Sequence, residues 1–490
     1  MERRELLRNS LLTVGGGLAA VAPALAQVTP AASQPGKRAE PEAPRGQEGV
    51  GNADWRETWA YLIGMQAFAY GFPAIYYAKL RCGMVKKPSG VIDTPVNTMF
   101  HVPRLADHTD QYGGSQMRDA IYSVAWLDLR TEPMVVFSPA SGDRYVSIQF
   151  AEFYSDLFGY VGPSVNGGRK QTALVVGPQW QGDTPAGIDV VMRSPTPSVL
   201  LVARVSTPGG ADLAAARAQQ EGSWVKPLSN WRAGTAAPVV REVLTPFPPS
   251  ASLADFRTMN AAMRENPPPP GEASLMRQFA QVGLGPLAST PLDDLDAATQ
   301  RGLARALVDG PKMLERVSKA GGNTKQVAGG WFYGDKNWGR MAAAGDHLGR
   351  ASPQAYAGII EHWKEQSTKL RTFVDGDGRD LSGQNRYVLR FSKDQIPQAR
   401  AFWSITLYDE RYTMVDNPIK RYSIGSLSEG LVFGADGSLE ILMQHERPAA
   451  ALEANWLPTP TGKFNLFLRT YLPGPSVLDQ SYVPPPVRKA

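Results

Sequence analysis

Cysteine is almost missing. Cys82 stands alone in the chain, so no disulfide forms within it and no thiolate-built zinc or iron–sulfur site exists. Histidine is scarce, at five residues. None stands in an H-E-x-x-H pattern, and Pro103 separates His101 from His108. Those two read as loop histidines rather than zinc or iron ligands, and no metal is expected. An excess of one charge is also missing. Lys+Arg 51 against Asp+Glu 46 leaves a net charge of only +5, and no basic stripe suggests nucleic acid. No apolar run approaches the ~20 residues that span a bilayer, so no stable transmembrane anchor is expected. The G-x-S-x-G elbow of serine hydrolases is absent. So are the P-loop and the G-x-G-x-x-G of a nucleotide site. The sequence names no cofactor.

What is present describes a globular chain. Hydrophobic residues are 43% and charged residues 20% of 490, which gives a sizeable core and room for two or three domains. Gly 48 and Pro 40 make it rich in turns, favouring many short strands over long helices. Residues 1–26 have the three parts of an export signal. Arg3, Arg4 and Arg8 lead, an apolar stretch runs from Leu11 to Ala24, and Ala24-Leu25-Ala26 is the small-x-small pattern that signal peptidase reads. The paired arginines, followed by Leu6 and Leu7, are similar to a twin-arginine signal. The chain is therefore expected to be periplasmic or secreted, with a mature start at Gln27. Residues 27–53 hold Pro30, Pro35, Pro41 and Pro44 and no aromatic side chain, and they read as a disordered tether.

Order begins at Asp54-Trp55-Arg56-Glu57, which reads as a capping box. Trp55, Trp59, Leu62, Ile63 and Phe68 follow at roughly helical spacing, and Gly71-Phe72-Pro73 is expected to end that helix. From about residue 119 the period changes to two. Short runs over 121–129, 134–137, 144–150, 172–176, 188–192 and 199–205 predict an antiparallel β-sandwich in a domain of residues 54–208. Residues 209–380 read as a helical linker or insertion, with helices over 211–220, 252–265, 275–282, 294–320 and 353–370. Strands return in a C-terminal domain, 381–490, over 385–391, 401–408, 412–415, 431–433, 439–444 and 463–471. The fold class is mainly β with helical insertions.

Two blocks concentrate polar and aromatic side chains. In the first, Tyr145, Ser147 and Gln149 fall on one strand face, which they offer to a ligand. Asp119, Asp128 and Glu152 are carboxylates suited to acid–base work of the glycosidase kind. The candidate catalytic set is Asp119 or Glu152 as acid or base, with Arg144 stabilising negative charge. Tyr122 and Tyr145 would orient the substrate. The alternative is that Asp119 and Asp128 cap strand ends. In the second block, Trp403, Arg421 and Tyr422 suit stacking and hydrogen bonding to a sugar or flat ring, although Trp403 also suits a sandwich core.

These blocks carry a family resemblance. The first is Asp119-Ala120-Ile121-Tyr122-Ser123 through Trp126-Leu127-Asp128-Leu129, with Arg144-Tyr145 and Ser194-Pro195-Thr196. The second is Phe402-Trp403-Ser404-Ile405-Thr406-Leu407-Tyr408, with Asn417-Pro418 and Arg421-Tyr422-Ser423-Ile424-Gly425. Over roughly 55–488 the chain resembles bacterial proteins that pair the domain-of-unknown-function families 1254 and 1214. The resemblance implies an immunoglobulin-like β-sandwich followed by a jelly-roll-like β-sandwich, with helices between and often a homo-oligomer. It implies no reaction, and fold does not supply one. Arg118 stands where the family usually has Asn, and Glu152 where it has an Asp-type acid, so the specificity of a first-domain site is expected to differ. The functional expectation is an exported protein acting on an extracytoplasmic small molecule or glycan, a hydrolase if catalytic. The rival is a non-catalytic oligomeric binding or assembly protein.

Overall fold

A computed structural model describes residues 54–86, 92–110, 114–320, 324–356 and 358–490. The export signal and tether expected over 1–53 lie outside the described residues. The protein is mixed helical and β, with several largely antiparallel sheets.

Nine strands build the first β-rich unit: β1 Phe100–His101, β2 Ala120–Asp128, β3 Met134–Ser138, β4 Val146–Glu152, β5 Leu157–Val161, β6 Gln171–Val176, β7 Val190–Arg193, β8 Ser198–Ser206 and β9 Trp224–Pro227. They form one sheet of order β1-β2-β8-β4-β5 and another of order β7-β6-β3-β9. Successive side chains on a strand point to opposite faces. Ala125, Leu127, Ile148, Phe150 and Leu201 of the larger sheet thus share one core with Met134, Val136, Ala173 and Val175 of the smaller. The intervening Tyr122, Val124, Leu200, Val202 and Arg204 take the opposite face.

The second unit repeats this scheme with β10 Phe332–Tyr333, β11 Ser367–Thr372, β12 Tyr387–Phe391, β13 Ala399–Asp409, β14 Ser423–Gly425, β15 Leu439–Gln444, β16 Trp456–Pro458, β17 Phe464–Pro473 and β18 Arg488–Lys489. Its sheets run β10-β11-β17-β13-β14 and β16-β15-β12-β18. Leu370, Ile405, Leu407, Leu466 and Leu468 meet Leu389, Phe391, Ile441 and Met443 inside. Lys369, Ser404, Arg469 and Tyr471 are left on the outer face of the larger sheet.

Helices cover part of the outer face of the first five-stranded sheet. The spine is helix Trp55–Val85, packed on Ala297–Lys319, Ala254–Glu265 and His347–Tyr356. Trp126, Phe153 and Leu200 of the sheet share a core with Phe68, Tyr77, Met259 and Leu303 of the helices. The spine does not end at Gly71-Phe72-Pro73, and Pro73 lies inside it. An interior proline costs a helix about 3 kcal/mol or more. Here almost every residue from Ala67 to Val85 is buried, so stopping the helix would forfeit a core. Gly71 is fixed by packing, because a Cβ there would sit 2.3 Å from the Met259 sulfur. Asp54 caps the helix by accepting the Arg56 N–H at 2.9 Å. Glu57 pairs with Arg301 and Arg305 instead of closing a capping box.

Residues 353–370 are not one helix. Helix His347–Tyr356 ends, an irregular segment follows, and Ser367–Thr372 is a strand paired with β17. Residues 412–415 form no strand, and 431–433 contribute one isolated bridge, from Phe433 to Leu439. No helix among the described residues is long and apolar enough to cross a membrane.

Candidate functional site

The outer faces of the two five-stranded sheets meet. Asp119, just before β2, accepts hydrogen bonds from Ser404 at 2.7 Å and Ser423 at 2.9 Å across the junction. Burial pushes its carboxyl above the ordinary range, against the two serine hydroxyls. Tyr145 packs edge-on to Phe402 and Tyr471, 5.7 and 5.3 Å between ring centres. Arg469 reaches across to the Ser115 carbonyl at 2.6 Å.

Where the faces do not close, a cavity remains. It offers about 160 Å³ to the centres of water-sized molecules. One wall is apolar, from Leu80 and Met84 of the spine helix, Val124, Leu200 and Val202 of the first sheet, and Ile359 and Ile360 of the irregular segment. The other wall is polar. Tyr122 and Arg204 come from the first sheet, Lys369, Arg469 and Tyr471 from the second, and Glu361 and His362 from the segment between them. The strand period puts Tyr122 and Arg204 on one face, and they are direct cross-strand partners. Lys369 and Arg469 are partners in the same way on β11 and β17.

The polar wall is organised around buried cations. The Arg204 guanidinium lies 5.3 Å from the Tyr122 ring centre and donates to Gln149 Oε1. Gln149 in turn donates to the Glu361 carbonyl at 3.2 Å. Arg469 donates to Thr406 Oγ1 at 3.2 Å as well as to Ser115. Lys369 pairs with Glu361 at 2.7 Å. Burial lowers the Lys369 ammonium to about 8, with Glu361 opposing and Arg469 adding to the shift.

His362 completes the wall. The Tyr160 hydroxyl accepts the Trp363 N–H at 3.2 Å and lies 3.1 Å from His362 Nδ1. Burial, then Arg204, Lys369 and Arg469, hold the imidazole well below its usual range. The Nε2 atom is buried without a hydrogen-bond partner.

The sequence-predicted site residues are brought together only in part: Tyr122 and Tyr145 pack in one cluster around Tyr471, and the others lie apart. Of the eight, Tyr122 lines the cavity. Ala120 pairs with Ser206 and Glu152 with Val199, seven residues apart on β8. At ~3.3 Å per residue, Asp119 and Glu152 stand roughly 23 Å or more apart along the sheet. A shared glycosidic bond needs about 5 to 9.5 Å. Glu152 accepts the N–H groups of Tyr154 and Asp156 within its own turn, and burial raises it to about 8. Arg144 forms a fork with Asp212, at 2.7 and 2.6 Å. Trp403 is in the core of the second sandwich against Phe391. Arg421 donates to the Glu453 and Trp456 carbonyls. Tyr422 bonds His108 Nδ1 at 2.8 Å, and His101 bonds Ser123 at 2.8 Å. Among the described residues no three His, Cys, Asp or Glu side chains are grouped to hold a metal ion.

Arg204 and Arg469 escaped the sequence reading, yet each left a signal. Arg204 interrupts Leu200-Leu201-Val202-Ala203, and Arg469 interrupts Leu466-Phe467-Leu468. A lone arginine inside an otherwise buried strand needs a polar reason.

Fold and site together define a class: two β-sandwiches joined through a helical layer, with a half-apolar, half-cationic cavity where they meet. Residues 96–227 match the protein of unknown function (DUF1254), and residues 366–475 match the protein of unknown function (DUF1214). The chain thus carries both domains, the pairing that its sequence resembles. Its fold is similar to the crystal structure of the VPA0106 protein from Vibrio parahaemolyticus, with a TM-score of 0.67 at 19% identity, over 88% of this chain and 100% of that one. An uncharacterized protein from Burkholderia cenocepacia overlaps at a TM-score of 0.44 and 12% identity, over 89% of this chain and 94% of that one. No curated protein matches the chain.

Proposed function

We propose that this protein binds a small organic molecule in the cavity between its two sandwiches, as a binding protein rather than a hydrolase. One observation carries the reading: the cavity draws its walls from both sandwiches and joins an apolar side to a few convergent polar groups. That is the usual make-up of a ligand site. The export pattern of residues 1–26 supports an extracytoplasmic ligand. The paired five- and four-stranded sheets support an immunoglobulin-like sandwich followed by a jelly-roll-like one. The wide separation of Asp119 and Glu152 gives carboxylate hydrolysis less support.

The test uses the neutral fluorophore N-phenyl-1-naphthylamine. Wild type is expected to bind it saturably. Ile360→Trp fills the cavity from the irregular segment, and affinity should fall at least about tenfold while circular dichroism and Tm are retained. Equal binding by a folded Ile360→Trp variant contradicts the reading.

A further inference from the structure

The charges on the cavity wall do not balance. Arg104 is answered by Asp110 through two bonds of 2.7 Å. Lys369 is answered by Glu361. Arg204 and Arg469 are 6% and 5% exposed and find only neutral oxygens: Gln149 for one, Thr406 and Ser115 for the other. Among the described residues neither has a carboxylate within ion-pair distance; Asp119 acts on Arg469 only from beyond it, with its oxygens taken by Ser404 and Ser423. A guanidinium stays charged at any ordinary pH. Two such charges buried without a counter-ion are costly, because removal from water is not offset by pairing. Beside them His362 Nε2 is buried with no hydrogen-bond partner. Both guanidinium groups seek negative charge, the imidazole edge is open to a hydrogen bond, and the opposite wall is hydrocarbon.

We propose that the cavity takes an amphiphilic organic acid. Its anionic group sits against Arg204, Arg469 and His362, and its apolar body lies along Leu80, Met84 and Leu200. This rests on the binding reading and narrows it to a ligand class. Arg204 and Arg469 come from different sandwiches, so the anion is the counter-ion that both units share. A guanidinium–oxyanion bond is about twice as strong as a neutral one, so charge should govern affinity as well as orientation.

Two fluorophores with the same apolar body separate charge from shape. 8-Anilinonaphthalene-1-sulfonate is an anion, and N-phenyl-1-naphthylamine is its neutral counterpart. Full-length wild type is expected to bind the sulfonate at least about tenfold more tightly. Arg204→Gln should remove most of that preference, bringing the two dyes' affinities together. Arg469→Gln serves if Arg204→Gln does not fold. The wild-type comparison stands even if neither variant folds. Equal affinity for the two dyes, or preference for the neutral one, overturns the organic-acid assignment and leaves the binding cavity intact. Binding of neither dye overturns the binding reading and the assignment with it.

Discussion

Lys369 is a titratable group on the cavity wall. Burial and the neighbouring Arg469 hold its ammonium at about 8, with Glu361 opposing them. Below that pH it is charged and adds to the field on a bound anion. Above it the charge is lost, so affinity must fall as pH rises through 8. A sulfonate stays ionised throughout, so the dye itself contributes no change. Titration of 8-anilinonaphthalene-1-sulfonate is expected to show a roughly three- to tenfold loss between pH 7 and 9.5, and Lys369→Gln should flatten the profile. A flat wild-type profile contradicts the assignment of Lys369 to the anion's surroundings. At the same scale, Tyr122 was legible in the sequence because it stands in a block dense with polar and aromatic side chains. Asp119 was singled out from the same block, and its carboxylate is consumed by Ser404 and Ser423. Nothing local distinguishes a carboxylate that serves a ligand from one that joins two domains.

At the scale of elements, most strands were legible from their period-two alternation. The failures have physical causes. Gly71-Phe72-Pro73 stops a helix in isolation, but burial on several sides carries this one on to Val85. Ser367–Thr372 continues a pattern that reads as helix, yet it fills the gap beside β17. Leu157–Val161 was missed because it is short and follows its partner β4 through a tight turn. The helical layer also depends on close approach, which composition does not show. At Gly302 a Cβ would lie 2.2 Å from the Glu57 carbonyl oxygen, and at Gly310 it would lie 2.4 Å from the Phe68 ring. Ala is favoured over Gly by about 1 kcal/mol in a helix interior. Overpacking typically costs about 1 to 3 kcal/mol, and here the obstacle is backbone rather than a movable side chain. Gly302→Ala is therefore expected to lower stability by about 1 to 2 kcal/mol in denaturant unfolding. An unchanged or raised midpoint contradicts the tight crossing of Trp55–Val85 and Ala297–Lys319.

At the scale of the whole molecule, the cavity belongs to neither sandwich alone. Its first-unit wall is the outer face of β2 and β8, and its second-unit wall is the outer face of β11 and β17. Strands of each unit were legible in the sequence, although β9 and β11 lie in the segment 209–380 that reads there as a helical linker. The juxtaposition of the units was not legible, because it joins residues far apart in the chain through contacts such as Arg469 to Ser115. A ligand that bridges Arg204 and Arg469 stabilises both units at once, since it binds only the assembled form. The most direct test is a crystal structure of the full chain grown with 8-bromooctanoate, a fatty acid whose bromine marks the apolar end. The account predicts an anomalous bromine peak beside Leu80, Met84 or Leu200, with the carboxylate within hydrogen-bond reach of Arg204 and Arg469. Bromine ordered elsewhere over an empty cavity, or a carboxylate turned away from both arginines, would contradict it.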